Sequence, residues 1–206
     1  MKTFYLTLLA AAAALLVAGC AHEPHTQFHT LMAQAAPGPV AARPNGPRLV
    51  FSLAAVSVPA QVDRPQWVLR LPDGGVQLLE QQRWVGSLSD EWRAALADRL
   101  SQTLGALDIG RLPGGNDLPP PQRLQVALQR FDSSIGQEAV EQVLWTVQAA
   151  GDAGPALTCS SLLREPATGD YNALAAAHRA VLARLADAIG TVMLSLQAGR
   201  PAACPG

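Results

Sequence analysis

The sequence has few cysteines and no excess of charge of either sign, and both shortages exclude classes of protein. Its three cysteines and four histidines among 206 residues include no Cys-x-x-Cys pair, so no zinc site is predicted. The 15 Lys and Arg residues are matched by 16 Asp and Glu, which leaves no basic surface for a nucleic-acid backbone. Catalytic motifs are missing too, since there is no Gly-x-Ser-x-Gly, His-Glu-x-x-His, Walker or dinucleotide-binding glycine pattern. We therefore expect neither an enzyme nor a nucleic-acid-binding protein, and neither a cofactor nor a metal.

The sequence also lacks an N-terminal apolar run long enough to be a mature transmembrane helix. Residues 4–16 form an uninterrupted apolar or neutral run after Lys2, whereas a spanning helix needs about 20 residues. A positive residue, a short apolar run and small residues before a cleavage point are typical of a signal peptide. We assign residues 1–19 to it.

The signal peptide leads into Val17-Ala18-Gly19-Cys20, which resembles the lipobox of bacterial lipoproteins. A cysteine thiol can be alkylated by a lipid donor, and the small residues before it give a peptidase access to the bond. The resemblance implies that Cys20 becomes the first mature residue and carries a covalent lipid such as palmitate. Several acyl chains, at about 0.8 kcal/mol per buried methylene, hold a protein on a membrane that it does not cross. An ordinary signal peptide or an uncleaved anchor is the alternative.

The residue after Cys20 bears on which membrane is used. Enteric-type bacteria usually mark inner-membrane lipoproteins with aspartate at this position, and this chain has Ala21. We therefore expect the periplasmic face of the outer membrane.

Residues 20–48 have the composition of a lipidated tether. Prolines, with glycines and many alanines, oppose a helix and favour extended, solvated chain; they are Pro24, Pro37, Pro39, Pro44 and Pro47. A tether of about 28 residues would reach roughly 90 Å at full extension. One piece of it, Thr26 to Leu31, can pair as a strand with an edge of the domain. His22, His25 and His29 also lie here, but the proline within their spacing favours a solvated tether over a metal site.

Two cysteines remain for the folded part, Cys159 and Cys204. An oxidising compartment permits disulfides, and the even number left after lipidation suggests that these two pair. A bridge over this length would stabilise the fold by roughly 4 kcal/mol in the chain-entropy treatment. Two free thiols are the alternative.

Apolar patterning divides residues 49–198 into strands and helices. The predicted strands are Leu49–Val58, Gln66–Leu71, Val76–Glu80 with Arg83–Val85, Leu107–Gly110, Gln122–Asp132, Glu138–Ala149 and Ala156–Arg164. A Pro-Asp-Gly-Gly turn joins the second and third, so that the first three form a meander.

Two amphipathic helices complete the predicted domain. The first begins at Ser87 or Ser89, ends at Gly105 and carries one apolar face; that face holds Trp92, Leu96, Leu100 and Leu104. The second begins at Asp170 or Asn172 and has apolar residues at helical spacing to Leu196. Two main helices packed on one mostly antiparallel sheet predict a single α+β domain, followed by a tail over residues 199–206.

Two stretches carry a resemblance to a known family. Residues 58–70, VPAQVDRPQWVLR, and residues 83–88, RWVGSL, resemble the ABC-type transport auxiliary lipoprotein family, which includes paraquat-inducible protein C. The likeness covers the lipobox and, more loosely, residues 49 to about 196. Residues 60–62 and Trp67 depart from the residue types common in the family.

The resemblance implies an accessory role in transport. Members are outer-membrane-anchored periplasmic lipoproteins that act beside MCE-domain proteins and ABC-transporter components in moving lipids or other hydrophobic molecules across the envelope. Tethering raises effective concentration, so that a modest interface suffices. A homo-oligomer would suit a symmetric MCE assembly. The alternative is a lipid-carrier or scaffold lipoprotein with no dedicated transporter partner, and a carrier would need a sizeable apolar cavity.

Four residues of the family-like stretches are candidates for the partner interface: Arg64, Pro65, Arg70 and Trp84. Arginine and tryptophan are favoured as interface anchors. The alternative is structural, with Trp84 in the core under the first helix and Asp63 paired with Arg64 or Arg70.

The second helix carries His178, the only histidine after residue 49. A single histidine near the line of Leu174 and Val181 is expected at the surface or boundary of the helix rather than as a general base.

Overall fold

The computed structural model describes residues 25–33, 49–112, 118–151 and 154–205. The predicted signal peptide, the lipobox with Cys20 and most of the predicted tether lie outside the described residues. The strands are β1 (Gln27–His29), β2 (Val50–Leu53), β3 (Gln66–Arg70), β4 (Val76–Trp84), β5 (Leu107–Asp108), β6 (Gln122–Ser134), β7 (Glu138–Gln148) and β8 (Ala156–Pro166). The helices are α1 (Leu88–Leu104) and α2 (Tyr171–Gln197).

The predicted α+β class is confirmed, but the strands form two mixed sheets rather than one mostly antiparallel sheet. The small sheet has the order β1-β4-β3, and the large sheet has the order β5-β2-β6-β7-β8. The predicted meander is wrong, because β2 pairs in parallel with β5 and β6 while β3 and β4 form a hairpin in the other sheet. Sequence neighbours are thus divided between two sheets.

The large sheet follows the alternation of its sequence. Leu124 and Val126 on β6, and Val143 and Val147 on β7, are buried on one face. Helix α2 lies against β7 and β8 on that side, with α1 packed beside it. By length and composition α2 is apolar enough to cross a membrane, yet its apolar stripe is buried inside the domain, as in a core helix.

Both predicted helix starts are confirmed by capping contacts. The Ser87 side chain accepts from the backbone N–H of Asp90, and Asp170 accepts from the backbone N–H groups of Asn172 and Ala173. Helix α1 ends at Gly105, whose φ of 61° is the left-handed conformation that glycine adopts without steric cost.

The ends of the described chain are tied to the domain. Strand β1 pairs in parallel with β4, as anticipated for residues 26–31, and the Leu31 side chain is buried in the core. The folded part therefore includes residues upstream of the predicted start at residue 49. At the other end, Cys159 on β8 and Cys204 in the tail are joined by a disulfide with an S–S distance of 2.08 Å.

Candidate functional site

The first family-like stretch attaches the small sheet to α1. Asp63 lies in the loop before β3, and its Oδ1 accepts from the backbone N–H of Ser89 at 3.1 Å. The expectation that Asp63 pairs with Arg64 or Arg70 is therefore wrong. Its carboxylate instead lies at the positive end of α1, where negative charge is stabilised.

Two of the candidate interface residues, Arg64 and Pro65, lie on the surface. Both side chains are exposed, and Arg64 makes no ion pair within the described ranges. The carbonyl of Pro65 accepts from the backbone N–H of Trp84 at 2.7 Å. This hydrogen bond fixes the exposed pair beside the end of β4.

Trp84, the third candidate, is a core residue. Its side chain is 1% exposed, and its ring lies 4.4 Å from the ring of Trp67, centroid to centroid. His29 packs edge-on against Trp67, with ring centroids 4.9 Å apart. A buried indole cannot contact a partner directly, so the structural alternative describes Trp84.

Arg70, the fourth candidate, joins the small sheet to the large one. Its Nη2 donates to Asp132 Oδ1 at 3.0 Å, and Arg130 donates to the other carboxylate oxygen of Asp132. The Asp132 side chain is only 6% exposed, whereas Arg70 is 36% exposed. Two guanidinium groups compensate the buried carboxylate, because an unpaired charge would be costly there.

Behind Arg70 lies a fully buried polar chain, which we name the junction: Trp67, Ser133, Glu141 and His178. The Trp67 indole N–H donates to Ser133 Oγ at 2.8 Å, and Ser133 Oγ lies 2.8 Å from His178 Nε2. His178 Nδ1 lies 2.7 Å from Glu141 Oε1. The junction therefore links β3, β6, β7 and α2 through three consecutive hydrogen bonds. The ring of Phe131 stacks on His178 with centroids 4.0 Å apart.

Burial sets the protonation of the junction. Desolvation raises the pKa of Glu141 well above its ordinary value. Desolvation also lowers the pKa of His178 to about 3, although the negative charge of Asp132 opposes this. Both shifts favour the uncharged form of the group. A protonated Glu141 donates to Nδ1 and leaves its second oxygen, which has no partner among the described residues, as a carbonyl rather than a charged atom.

The expected surface or boundary position of His178 is wrong, because its side chain is 0% exposed. A histidine alone does not reveal its partners. The sequence signal for a buried polar partner was Glu141. In the alternation of β7 this carboxylate falls on the same face as the inward-facing Val143, Trp145 and Val147, so it must find a hydrogen-bond partner inside the domain.

Ser133, His178 and Glu141 have the connectivity of a hydrolase triad but not its access. All three side chains are 0% exposed. Ser133 Oγ is already held by the indole of Trp67, and the adjacent pocket has a volume of about 10 Å³, room for no more than a water molecule. A nucleophile must reach its substrate, so this arrangement serves packing.

Across the described ranges no three His, Cys, Asp or Glu side chains converge as metal ligands. His29, one of the three N-terminal histidines, uses its Nε2 for a 2.7 Å hydrogen bond to Gln82 Oε1. His25 is exposed, and His22 lies outside the described residues.

The family model of the ABC-type transport auxiliary lipoprotein component matches residues 29–190, from the end of β1 to the second half of α2. No curated protein matches the sequence.

Solved structures share the fold. A crystal structure of an uncharacterized protein aligns with a TM-score of 0.63 at 18% identity, covering 81% of this chain and 97% of that one. A protein of the DUF330 family from Xanthomonas campestris aligns with a TM-score of 0.57 at 15% identity, covering 84% and 98%. At these identities the likeness concerns the fold alone.

Proposed function

The chain belongs to the ABC-type transport auxiliary lipoprotein family, and from this premise we propose that it is a lipid-anchored accessory component of a transport system for lipids or other hydrophobic molecules. The observation that carries the proposal is the family match over residues 29–190, which includes parts of both sheets and both helices. The accessory role requires a membrane anchor, a folded domain and a docking surface.

The proposed anchor is a covalent lipid on Cys20. Its sequence context, small residues after a short apolar run, supports acylation, and Ala21 supports the periplasmic face of the outer membrane. Several acyl chains provide stable attachment without a spanning helix.

The proposed partner is an MCE-domain protein or another component of the ABC-type machinery. Arg64 and Pro65 form the centre of the proposed docking surface, because both are exposed and held in place by the hydrogen bond from Trp84 to Pro65. Arginine is an effective interface anchor when its guanidinium is not already paired. Arg70 lies at the other end of β3, with its charge shared with Asp132.

Packing of the domain favours docking over lipid carriage. The inner face of the large sheet and the stripe of α2 fill the space between them with their own side chains. The pocket beside β3 and β6 has a volume of about 10 Å³, whereas small-molecule sites occupy about 300–1,000 Å³.

Affinity purification of the intact lipoprotein from gently solubilised envelope membranes tests the proposal. Arg64→Glu reverses the charge at the proposed surface. Arg200→Glu is the matched control, because Arg200 is also exposed but lies beyond the family-matched residues. Cys20→Ser tests the anchor in the same experiment.

We expect an ABC-transporter or MCE-domain component to co-purify with the wild type and with Arg200→Glu, and to be lost with Arg64→Glu. The Cys20→Ser chain should leave the membrane fraction. If no transport component co-purifies with the wild type, the accessory role is contradicted, and binding of lipid by the chain itself becomes the hypothesis to test.

A further inference from the structure

The small sheet exposes apolar side chains that its own fold does not cover. Phe28 is 62% exposed, Val76 58%, Leu78 41% and Val85 65%. We name these four residues the outer apolar face. Strand β1 forms one edge of the sheet and contributes Phe28.

Strand register places the four side chains on one side. On β3, Trp67 and Leu69 point into the core, so Val68 and Arg70 lie on the opposite side, where Val68 is half-buried and Arg70 reaches Asp132 on β6. Val68 and Arg70 align with Leu78 and Val76, which therefore share that side.

At the other end of β4, a register shift precedes Arg83, which aligns with Gln66 and with Phe28. Trp84 and its partner His29 point into the core. Phe28 and Val85, each adjacent in sequence to a core residue, therefore point outward, and the backbone N–H of Val85 continues the ladder to His29.

Chain length places the proposed lipid anchor close to this face. Strand β1 begins at Gln27, seven residues after Cys20, and seven residues span at most about 25 Å. The chain that precedes the domain is therefore much shorter than the predicted tether of residues 20–48, because β1 is fixed within that range.

Strand direction adds a second constraint. Strand β1 runs parallel to β4, with Gln27 aligned to Gln82. The chain therefore enters β1 from the Val76 end of β4, which lies six residues from Gln82, or about 20 Å along the strand. Both ends of the outer apolar face are within reach of the anchor.

We propose that the outer apolar face rests on the surface of the bilayer that holds the acyl chains of Cys20, with β8, the edge strand of the large sheet, turned away from the membrane. The proposal rests on the lipid anchor of the proposed function. Apolar side chains on a surface held near a bilayer gain by entering its interfacial region.

The charged side chains around the outer apolar face indicate how far its contact with the bilayer depends on anionic lipid. Arg83, within the face, pairs with Glu80 at 3.5 Å, so its charge is offset locally. Arg64 has no ion pair within the described residues but lies next to Asp63. Arg70 and Arg130 share Asp132. These four arginines and three carboxylates sum to a formal charge of about +1, so contact with the bilayer should depend only weakly on the fraction of anionic lipid.

Quenching of tryptophan fluorescence by brominated phospholipids tests this contact in the full-length mature lipoprotein. The four native tryptophans are all buried. Phe28→Trp and Leu78→Trp each add an indole to the outer apolar face. Leu162→Trp is the matched control, because Leu162 is 55% exposed on β8 of the large sheet.

Each variant is reconstituted into vesicles of phosphatidylethanolamine and phosphatidylcholine with and without brominated acyl chains. We expect Phe28→Trp and Leu78→Trp to lose most of their added emission in brominated vesicles, and Leu162→Trp to keep it. Adding phosphatidylglycerol should change the loss only slightly. Equal urea midpoints would show that all variants keep the fold.

Equal quenching of Leu162→Trp, or no quenching of Phe28→Trp and Leu78→Trp, would overturn the proposal. Emission of Phe28→Trp and Leu78→Trp that changes only when a transport component is added, and not with brominated lipid, would also overturn it, because the face would then be a protein interface. The mass of the N-terminal peptide shows whether Cys20 is acylated, and so distinguishes failure of this proposal from failure of the proposed anchor. An acylated chain without quenching contradicts this proposal alone, whereas an unacylated Cys20 contradicts the anchor and this proposal together.

Discussion

The two sheets are attached to α2 over contacts of different extent. The large sheet packs a layer of apolar side chains, such as Val143 and Val147, against an apolar stripe of the helix. Its Ser133 and Glu141 also hydrogen-bond His178. The small sheet reaches α2 mainly through Trp67, which donates to Ser133 and whose ring lies 6.2 Å from that of Tyr171, centroid to centroid. Apolar packing tolerates changes that conserve volume, whereas a buried polar chain requires every member to be satisfied. We therefore expect the position of the small sheet to depend on a few exact contacts.

The largest expected effect is that of Trp67→Ala. The change removes a fully buried indole and leaves Ser133 without its donor, so we expect a loss of about 5 kcal/mol in the free energy of unfolding. Urea denaturation measures it. Trp67→Phe keeps most of the volume and should lose about 2 kcal/mol through the missing hydrogen bond. Equal losses would mean that the hydrogen bond, and not the volume of the indole, accounts for the contribution of Trp67.

Removal of the disulfide is expected to come next. The double change Cys159→Ser and Cys204→Ser opens a link between residues 45 apart in sequence and should cost about 4 kcal/mol in the chain-entropy treatment. Because the bridge attaches the tail to β8, hydrogen exchange should accelerate in the tail and β8 first. Faster exchange confined to β1, β3 and β4 would contradict the division between the sheets.

The next effect in size is the pH dependence of the free energy of unfolding that Glu141 and His178 of the junction cause. The raised pKa of Glu141 makes stability fall as pH rises from 4.5 through the raised value, whereas the lowered pKa of His178 makes stability rise between about pH 3 and 6.5. The two contributions oppose each other where these ranges overlap. Above pH 6.5 the contribution of His178 is constant, so the pH dependence of the pair there is the fall due to Glu141, by up to about 1.4 kcal/mol per pH unit.

Glu141→Gln removes this fall, because glutamine does not titrate. In the variant, His178 alone makes stability rise with pH from about 3 to 6.5, and the curve is flat above that. Urea titrations at about pH 5, 7 and 9 measure the difference between the two proteins. A difference that is the same at all three values would show that Glu141 does not carry the proton.

The smallest expected effects compare one conservative change in the junction with one in the apolar layer against α2. Ser133→Ala removes a hydroxyl that contacts both Trp67 and His178, and we expect a loss of about 2 kcal/mol. Ile189→Val removes one methylene from the apolar layer of α2 and should cost about 1 kcal/mol. Thermal unfolding can rank the two. A larger loss for Ile189→Val would reverse the comparison.

The local elements could be predicted from the sequence because their signals are local. Apolar alternation located β6 and β7, the caps at Ser87 and Asp170 located the helix starts, and Gly105 located the end of α1. Such signals depend on residues within a few positions of one another.

The assignment of strands to sheets could not be predicted, because it depends on pairing over long distances. Strand β2 pairs in parallel with β5 and β6, and nothing in the β2 sequence specifies those partners. Arg93 illustrates the same limit. Its sequence position lies off the apolar line of Trp92, Leu96, Leu100 and Leu104, yet Arg93 is buried, where it pairs with Asp108 at 2.8 Å.

The candidate site was predictable only in part. The family-like stretches include Trp84 and Arg70, but Trp84 is buried in the core and Arg70 pairs with Asp132. The role of His178 could not be predicted, because its partners lie 45 and 37 residues away in sequence. Exposed Arg64 and Pro65 remain as the proposed centre of docking.

Site-specific photo-crosslinking in the intact envelope tests the central claim, an accessory role carried by the small-sheet end of the domain, most directly. A photoreactive phenylalanine analogue replaces Gln61, an exposed residue three positions before Arg64, in one strain and Leu162, an exposed residue of the large sheet, in another. We expect an adduct with an ABC-transporter or MCE-domain component from position 61 and none from position 162. An adduct from position 162 alone, or no transport component from either position, would contradict the claim.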